Sequence, residues 1–309
     1  MTALRIVSGS ANPELAAAVA DRLDVGSPDC LLKRFPDGEI CPVVDHVCGS
    51  DVYVVQPTAP PVNDHLVELL LILDACRRGR AERVTAVVPY FGYARQDRRT
   101  PSGQALGLRV VVEAIAQAGA DRLVVVDPHT EALEAISPVP VEILTAVPLL
   151  AEAAVPAQSG RTIVVAPDFG AAKLAERYAA SMQDSVAIVR KFRESATEVS
   201  AVEMIGDISG RPVLIVDDMI STGATIEAAI QILHYHATDI VAAATHGPLV
   251  PPAAARLRAL PLRRVIVTDT VAQQDSAAPF EVHSVAPLLA DAIARMHHNQ
   301  PLRELLPHT

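Results

Sequence analysis

The stretch Val213-Leu-Ile-Val-Asp-Asp-Met-Ile-Ser-Thr-Gly-Ala-Thr225 joins an apolar run to two neighbouring carboxylates and a short loop of Ser, Thr and Gly. The four residues Val213–Val216 predict a buried parallel strand, because such strands read as continuous apolar runs. Residues Ile226–His236 have helical apolar spacing and predict a helix after the loop. The stretch therefore predicts one strand, loop and helix unit of a parallel α/β fold.

The loop before this helix is suited to an anion. Backbone N–H groups at a helix N-terminus lack partners, and together with the helix dipole they attract negative charge. Gly223 lets the chain approach a ligand closely. Asp217 and Asp218 would repel a bare phosphate, so we expect them to face hydroxyl groups or a metal. A ribose 5-phosphate has both kinds of group at this separation, whereas an ordinary capped helix needs only one such polar residue.

Composition restricts the class of protein. The chain has 309 residues, half of them hydrophobic, which suits two globular domains with their own cores. Its formal net charge of −10 argues against nucleic acid or an anionic membrane as a partner. An anionic ligand would depend on local basic segments, and two are present at Tyr93–Arg99 and Arg190–Arg193.

Cysteine usage and the N-terminal sequence predict a cytoplasmic location. The four cysteines contain no Cys-x-x-Cys pair and indicate a reduced chain rather than a disulfide framework or a zinc site. The first residues lack the basic segment and long apolar core of a secretion signal. No uninterrupted apolar run reaches membrane-spanning length.

Strand-like segments alternate with helical ones, which predicts a parallel α/β architecture. These segments are Val52–Val55, Val84–Val88, Leu123–Val126, Ile163–Val165, Val213–Val216, Ile240–Ala243 and Val265–Val267. The order of strand, loop, helix and strand from Asp51 to Val88 recurs from Val213 to Ala243, which we interpret as a duplicated domain. We expect an N-terminal domain of residues 1–145 and a C-terminal domain of residues 146–309, with the boundary in the proline-containing segment Ser137–Pro148.

The segment Pro89–Arg99 reads PYFGYARQDRR and follows a predicted strand. Guanidinium groups match the geometry of phosphate oxygens, and they stack on flat aromatic faces. A loop that combines arginines with aromatic residues and a glycine can therefore hold both a base and a polyphosphate. A solvated basic surface is the alternative for either basic segment taken alone.

Several segments, in order along the chain, resemble those of the ribose-phosphate pyrophosphokinase family. They are Arg34–Glu39 (RFPDGE), Pro89–Arg99, Asp127–Glu131 (DPHTE), Pro167–Gly170 (PDFG), Arg190–Glu198 (RKFRESATE) and Val213–Thr225. The resemblance extends from about Ile6 to about Arg295. It implies two tandem domains of the type I phosphoribosyltransferase kind, each a mainly parallel sheet flanked by helices.

The resemblance also implies a nucleotide site formed by two segments. Its residues are Arg95 and Gln96 in the first, and Phe35, Asp37, Gly38 and Glu39 in the second. Arg95 and Gln96 would contact ATP, and Phe35 would stack on adenine. Asp37, with the Gly38 and Glu39 region, would accept a hydrogen bond from the exocyclic amine of adenine. The family implies that this turn comes from a neighbouring subunit, so the minimal active unit would be a dimer within a hexamer.

The remaining segments supply, by resemblance, a metal site, a ribose 5-phosphate site and catalytic groups. His129 and Asp168 would bind Mg²⁺, which takes hard oxygen ligands and keeps several waters. Lys191 and Arg193, in a polar connection between two strands, would close on the transferring group, with Arg193 also contacting ribose 5-phosphate. The other implied residues of the ribose 5-phosphate site are Asp217, Asp218, Ser221, Thr222, Gly223, Ala224 and Thr225.

The implied reaction is attack of the ribose 1-hydroxyl on the β-phosphorus of ATP, with AMP leaving and the diphosphoryl group transferred whole. Two alternatives stay open. A catalytically weak regulatory homologue that assembles with active subunits is motivated by departures from the common family pattern at Ser221, Phe192, Pro128 and Ala171. A base-specific phosphoribosyltransferase would need only the second half of the chain and leaves the two nucleotide segments unexplained.

Overall fold

A computed structural model describes residues 2–26, 30–99, 102–154, 162–193, 199–273 and 279–307, with the side chains of 190–193 and 199–203 not described. The elements of the first half are β1 (Ala3–Ser8), α1 (Pro13–Arg22), β2 (Cys30–Arg34), β3 (Ile40–Val44), β4 (Ser50–Val55), α2 (Val62–Arg78), β5 (Arg83–Val88), α3 (Gly107–Gln117), β6 (Arg122–Val126), α4 (Ala132–Ile136) and β7 (Val141–Leu144). Those of the second half are α5 (Val147–Ala154), β8 (Ile163–Ala166), α6 (Ala172–Met182), β9 (Ser185–Arg193), β10 (Val199–Ile205), β11 (Pro212–Met219), α7 (Ala224–Leu233), β12 (Asp239–His246), α8 (Ala253–Arg258), β13 (Arg264–Thr268), β14 (Phe280–His283) and α9 (Ala286–His297).

The chain divides into two compact units. Unit 1 contains the residues up to Thr145 together with 270–272 and 284–309, and unit 2 contains 146–269 and 273–283. Helix α9 thus belongs to unit 1, whereas the sequence analysis assigned residues 284–309 to the second domain. The physical reason is that the apolar face of α9 packs against α1. At the end of α9, His297 also reaches the carboxylate of Asp51 in β4.

The sheet of unit 1 has the strand order β1-β4-β5-β6-β7, and its neighbouring strands are all parallel. Strand β4 is buried along its whole length; its apolar run Val52–Val55 suits burial on both faces, and the polar residues Ser50 and Asp51 are buried with it. Apolar residues of α2 and α3 pack on one face of this sheet, including Ile72 and Ile115. Strands β2 and β3 form a separate antiparallel hairpin whose β3 packs on α2.

The sheet of unit 2 has the order β10-β9-β8-β11-β12-β13-β14 and is parallel except for β10, which runs antiparallel to β9. Helix α7 buries Ile226, Ile230 and Leu233, one stripe at helical spacing, in the core with Val213 and Ile215. The order β8-β11-β12-β13-β14 matches the order of the unit 1 sheet. The two units therefore share one strand order, as a duplicated domain would.

All seven strand segments expected from the sequence are confirmed as parallel strands, but two other expectations were wrong in detail. Helix α7 begins at Ala224 and ends at Leu233, earlier at both ends than Ile226–His236. It ends there because the N–H groups of His236 and Ala237 both bond to the Leu233 carbonyl and close a turn. The polar connection expected from Arg190 onwards is strand up to Arg193, because β9 pairs with β10; residues 194–198 lie outside the described ranges.

None of the helices within the described ranges has the length and apolar content that crossing a membrane requires. The four cysteines are free thiols. Burial raises the pKa of the Cys76 thiol to about 12, which suits a core side chain and not a reactive one.

Candidate active site

The phosphate-binding segment predicted from the sequence lies where β11 meets α7 in unit 2. Asp217 and Asp218 are still within β11, and Ala224 and Thr225 already form the first turn of α7, so the connecting loop is shorter than expected. Among the residues that the structure describes, no side chain caps α7, and the contact of its first N–H groups with a side chain is a long one, in which Ala224 N donates to Thr222 Oγ1 at 3.5 Å. A helix start with this few internal partners retains donors for an anion.

Gly223 is the N-cap of α7 and has a φ of 75°, in the left-handed region that disfavours other residues. A Cβ at this position would also lie 3.2 Å from Leu257 Cγ of α8. The left-handed backbone therefore favours glycine here, and α8 leaves little room for a side chain, in addition to the close approach of a ligand that the sequence suggested.

Arg256 of α8 contacts this loop from the side and is not among the site residues predicted from the sequence. Its Nη1 donates to the Thr222 carbonyl at 2.6 Å, and its Nε lies 3.0 Å from Glu227 Oε2 in the first turn of α7. One guanidinium thus joins the loop to the helix that follows it. No local signal could have found Arg256, because an arginine in a short helix reads as surface charge and its partner is 34 residues earlier.

Three carboxylates meet at the carboxyl edge of the unit 2 sheet, where ligands of open α/β sheets bind. Asp217 and Asp218 lie near the carboxyl end of β11, and Asp168 follows the adjacent strand β8. The pKa of Asp217 is raised to about 8, first by burial and then by the charges of Asp218 and Asp168. Asp168 also caps a 3₁₀ helix, since its Oδ1 accepts from Gly170 N at 2.8 Å and Ala171 N at 3.3 Å.

This acidic edge fits a hard divalent cation. Its donors are carboxylate oxygens, and a positive charge beside them would relieve the repulsion that raises the pKa of Asp217. Within the described residues, no three His, Cys, Asp or Glu side chains already form a complete metal cage. A hard divalent cation can be held by one or two such carboxylates, with substrate phosphates and water as its other ligands.

Lys191 and Arg193, the catalytic residues expected from the sequence, lie in β9 opposite Val202 and Val199 of β10. Only their place in this strand pair is described. The other expected metal ligand, His129, is exposed and follows β6 in unit 1, at the carboxyl edge of that sheet. The structure thus places His129 and Asp168 in different units.

Arg95 and Gln96 lie in unit 1, in the loop that follows β5, as the sequence predicted for Pro89–Arg99. Arg95 is exposed. Gln96 is more buried, and its backbone N–H donates to Tyr93 O at 2.9 Å while its carbonyl accepts from Leu108 N at 3.3 Å. Strands β5 and β6 are neighbours, so the Arg95 loop and the His129 loop begin at the same edge of one sheet.

The segment from Phe35 to Glu39 is the turn of the β2–β3 hairpin. Phe35 N donates to Glu39 O at 2.8 Å, and Asp37 accepts from Glu39 N at 3.2 Å. Phe35 is 51% exposed, unusually high for a large apolar residue. Among the described residues, no hydrogen bond links this turn to Arg95 or Gln96 of the same chain.

Comparison with known proteins identifies the family. Residues 4–119 match the family model described as the N-terminal domain of ribose phosphate pyrophosphokinase, and residues 192–306 match that of the phosphoribosyl synthetase-associated domain. The chain is 42% identical to ribose-phosphate pyrophosphokinase of Rhodopirellula baltica, over 99% of both chains. It is 37% identical to that of Caldanaerobacter subterraneus subsp. tengcongensis, over 98% of this chain and 97% of the relative.

The solved structure of phosphoribosylpyrophosphate synthetase from Mycobacterium smegmatis superposes with a TM-score of 0.91 at 37% identity, covering 96% of this chain and 100% of that one. The predicted α/β fold with two phosphoribosyltransferase-like domains is therefore confirmed. Similarity over nearly the whole length, at this identity, shows that the chain belongs to the ribose-phosphate pyrophosphokinase family.

Proposed function

We propose that the chain transfers the diphosphoryl group of ATP to the 1-hydroxyl of ribose 5-phosphate, giving phosphoribosyl diphosphate and AMP. One observation carries this proposal: Asp217 and Asp218, near the end of β11, lie only a few residues before the start of α7, which no described side chain caps. That arrangement matches a sugar with hydroxyl groups at one end and a phosphate at the other. Similarity over 99% of both chains to a relative named ribose-phosphate pyrophosphokinase supports it.

In this proposal the N–H groups and hydroxyls of Ser221, Thr222, Gly223, Ala224 and Thr225 hold the 5-phosphate. The charge of the phosphate is favoured there by the α7 dipole and its free donors. Asp217 and Asp218 then accept hydrogen bonds from the ribose hydroxyls, which holds the sugar with its reactive carbon directed away from the phosphate loop.

Arg95 and Gln96 are proposed to bind the ATP phosphates, and Phe35, Asp37, Gly38 and Glu39 of a neighbouring subunit to enclose adenine. A planar guanidinium such as that of Arg95 can form two parallel bonds to phosphate oxygens. The exposed ring of Phe35 is available to stack on a base. The minimal active assembly is then a dimer, and we propose a hexamer as the complete one.

Lys191 and Arg193 are proposed to stabilise negative charge on the diphosphoryl group as it moves. Phosphoryl transfer requires little covalent chemistry from the protein, so alignment and charge stabilisation supply most of the rate. His129 and Asp168 are each proposed as Mg²⁺ ligands, and the bound ion would neutralise phosphate charge. We also propose a cytoplasmic location, which the four free thiols support.

The test is a product assay on the purified chain with ATP labelled at the γ-phosphate. Whole diphosphoryl transfer is expected to give AMP and a labelled phosphoribosyl diphosphate in equal amounts, without labelled inorganic phosphate. Formation of ADP and a ribose bisphosphate would contradict the proposal. A folded chain without turnover, which becomes active only beside another synthetase subunit, would instead fit the regulatory homologue.

A further inference from the structure

Thr58, in the connection between β4 and α2, makes an unusual set of contacts for a residue that is only 1% exposed. Its backbone N–H donates to Tyr90 O at 2.9 Å, and its hydroxyl donates to the same oxygen at 3.2 Å. The hydroxyl also accepts from Gly92 N at 2.6 Å. One threonine side chain therefore satisfies both a donor and an acceptor of the loop that follows β5.

The loop is pressed directly against Thr58. A Cβ at position 92 would lie 2.7 Å from the Thr58 carbonyl oxygen and 2.8 Å from Val62 Cγ1, so only glycine fits there. Because Gly92 is buried, its N–H could not donate to water in place of the Thr58 hydroxyl if that hydroxyl were removed. The first half of the loop is thus held by the backbone N–H of Thr58 at Tyr90 and by its hydroxyl at both Tyr90 and Gly92.

This fixed point leads within four residues to the proposed nucleotide-binding side chains. Tyr93 follows Gly92 with a φ of 66°, and its phenol donates to Asn63 Oδ1 on α2. The Tyr93 carbonyl in turn accepts from Gln96 N at 2.9 Å. The direction in which the chain leaves Gly92 therefore determines where Arg95 and Gln96 lie.

We propose that the Thr58 hydroxyl is a positioning group for ATP: it fixes the Tyr90–Gly92 backbone so that Arg95 and Gln96 meet the nucleotide phosphates. Thr58 itself lies too deep to touch a ligand. This inference rests on the proposed function for its substrate, and on the described hydrogen bonds for its geometry. ATP affinity would then depend partly on the β4–α2 connection, and not only on the loop after β5 that carries Arg95.

Thr58→Val keeps the shape of the side chain and removes the hydroxyl, while Thr58→Ser keeps the hydroxyl. The matched control is Thr85→Val in β5 of the unit 1 sheet. The Thr85 hydroxyl is equally buried and has no hydrogen-bond partner within the described residues. Initial rates are measured against ATP and against ribose 5-phosphate separately, together with the thermal midpoint of each variant.

We expect Thr58→Val to raise KM for ATP about tenfold, the cost of an unsatisfied buried N–H near the site, with KM for ribose 5-phosphate unchanged. Thr58→Ser should restore most of the ATP affinity, and Thr85→Val should resemble the wild type. A merely structural threonine would lower the thermal midpoint and leave the ratio of the two KM values unchanged. That result, or a serine variant as weak as the valine variant, would overturn the proposal.

Two measurements separate this inference from the proposed function. ATP affinity by calorimetry and hydrogen exchange of the Tyr90–Gln96 amides both report on the loop without turnover. A chain that binds ATP but forms no phosphoribosyl diphosphate would refute the function and leave the Thr58 inference standing, provided Thr58→Val weakens ATP binding and speeds exchange. If Thr58→Val does not fold, Thr58→Ala removes the same hydroxyl with a smaller side chain; ATP affinity equal to that of the wild type in that variant would refute the inference.

Discussion

Asp217 and Asp218 lie beside the loop that we propose to bind phosphate, so substrate binding there requires positive charge nearby. Asp217 has a pKa raised to about 8, first by burial and then by Asp218 and Asp168. A cation close to these groups favours their charged forms. In our proposal Lys191 and Arg193 provide such charge in addition to Mg²⁺, and they act on the moving diphosphoryl group.

Lys191→Ala is therefore expected to lower kcat by about 100-fold or more, while the affinity for ATP changes little. The reason is that a cation used mainly in the transition state affects turnover and not ground-state binding. The measurement is kcat together with ATP affinity from calorimetry. Lys173→Ala, an exposed lysine on α6, is the control and should leave both unchanged. Normal turnover in Lys191→Ala would remove this residue from the mechanism.

At the scale of elements, the start of α7 depends on its neighbour α8. Arg256 bonds to the Thr222 carbonyl and to Glu227, so it fixes the loop relative to the helix whose N–H groups we propose to hold the phosphate. Arg256→Gln should raise KM for ribose 5-phosphate about tenfold and leave KM for ATP unchanged, because the loop loses a charged hydrogen bond.

The control for Arg256 is Arg263→Gln, which removes a similar exposed pair with Asp239 at 2.9 Å in the same unit. Such surface pairs contribute about 0–1 kcal/mol, so its kinetics should match those of the wild type. If Arg256→Gln raised both KM values equally, Arg256 would be acting on the whole fold and not on the phosphate loop.

A second link between elements joins α9 to the sheet of unit 1. Asp51 is 2% exposed, and its carboxylate accepts from Arg83 Nε at 2.8 Å, from Tyr53 at 3.2 Å and from His297 at 2.8 Å. Burial would raise the pKa of Asp51, but these hydrogen bonds from Arg83, His297 and Tyr53 outweigh it and hold the pKa below its ordinary value. The charged form of Asp51 therefore stabilises the folded state.

Asp51→Asn is expected to lower the free energy of unfolding at pH 7 by about 3 kcal/mol, since it breaks a buried charged network. Because the folded pKa lies below the unfolded value of about 3.9, the stabilisation is present above that pH and is lost as pH falls through the folded pKa. Urea unfolding at pH 7 and at about pH 3 should thus show that the difference in the free energy of unfolding between wild type and Asp51→Asn becomes smaller at the lower pH.

Asp291→Asn on α9 is the control for this prediction. Asp291 pairs with Arg295 at 2.9 Å, but its side chain is 44% exposed, so its loss should cost less than about 1 kcal/mol. A difference between wild type and Asp51→Asn that did not change with pH would show that the carboxylate charge is not what stabilises this link.

At the scale of the whole molecule, one strand order is used twice and the two copies carry different loops. In both sheets the loops that carry the proposed site residues follow the carboxyl ends of strands, where ligands of parallel α/β proteins bind. The hairpin of β2 and β3 is a separate two-stranded sheet, and its turn presents Phe35 outward. If this turn completes the adenine pocket of a neighbouring subunit, no single chain contains a whole active site.

Subunit mixing tests that arrangement. Phe35→Ala and Arg95→Ala chains should each be nearly inactive, yet a mixture reassembled from equal amounts should recover about a quarter of wild-type activity, because random pairing places an intact turn beside an intact loop at that frequency. Specific activity of the wild type should also fall on dilution below the dissociation constant of the assembly. A mixture without activity, or a fully active monomer by light scattering, would show that both segments serve one chain.

The sequence alone determined those features of this protein that depend on residues close together in the chain. Continuous apolar runs predicted the seven parallel strands, because burial on both faces requires them. The polar residues after Val216 predicted a turn into a helix, and an anion site there, because helix starts need polar partners. The order of motifs was sufficient for the α/β class and the family.

The tertiary structure decided everything that depends on partners far apart in the sequence. Arg256 reaches Thr222, Thr58 reaches Gly92, and His297 joins Asp51 across 246 positions, which places α9 with the N-terminal sheet. Lys191 and Arg193 lie in a strand because β10 pairs with β9. Local preferences fix helices and strands, but each buried hydrogen-bonding group takes the partner that packing brings to it, and sequence spacing carries no information about that partner.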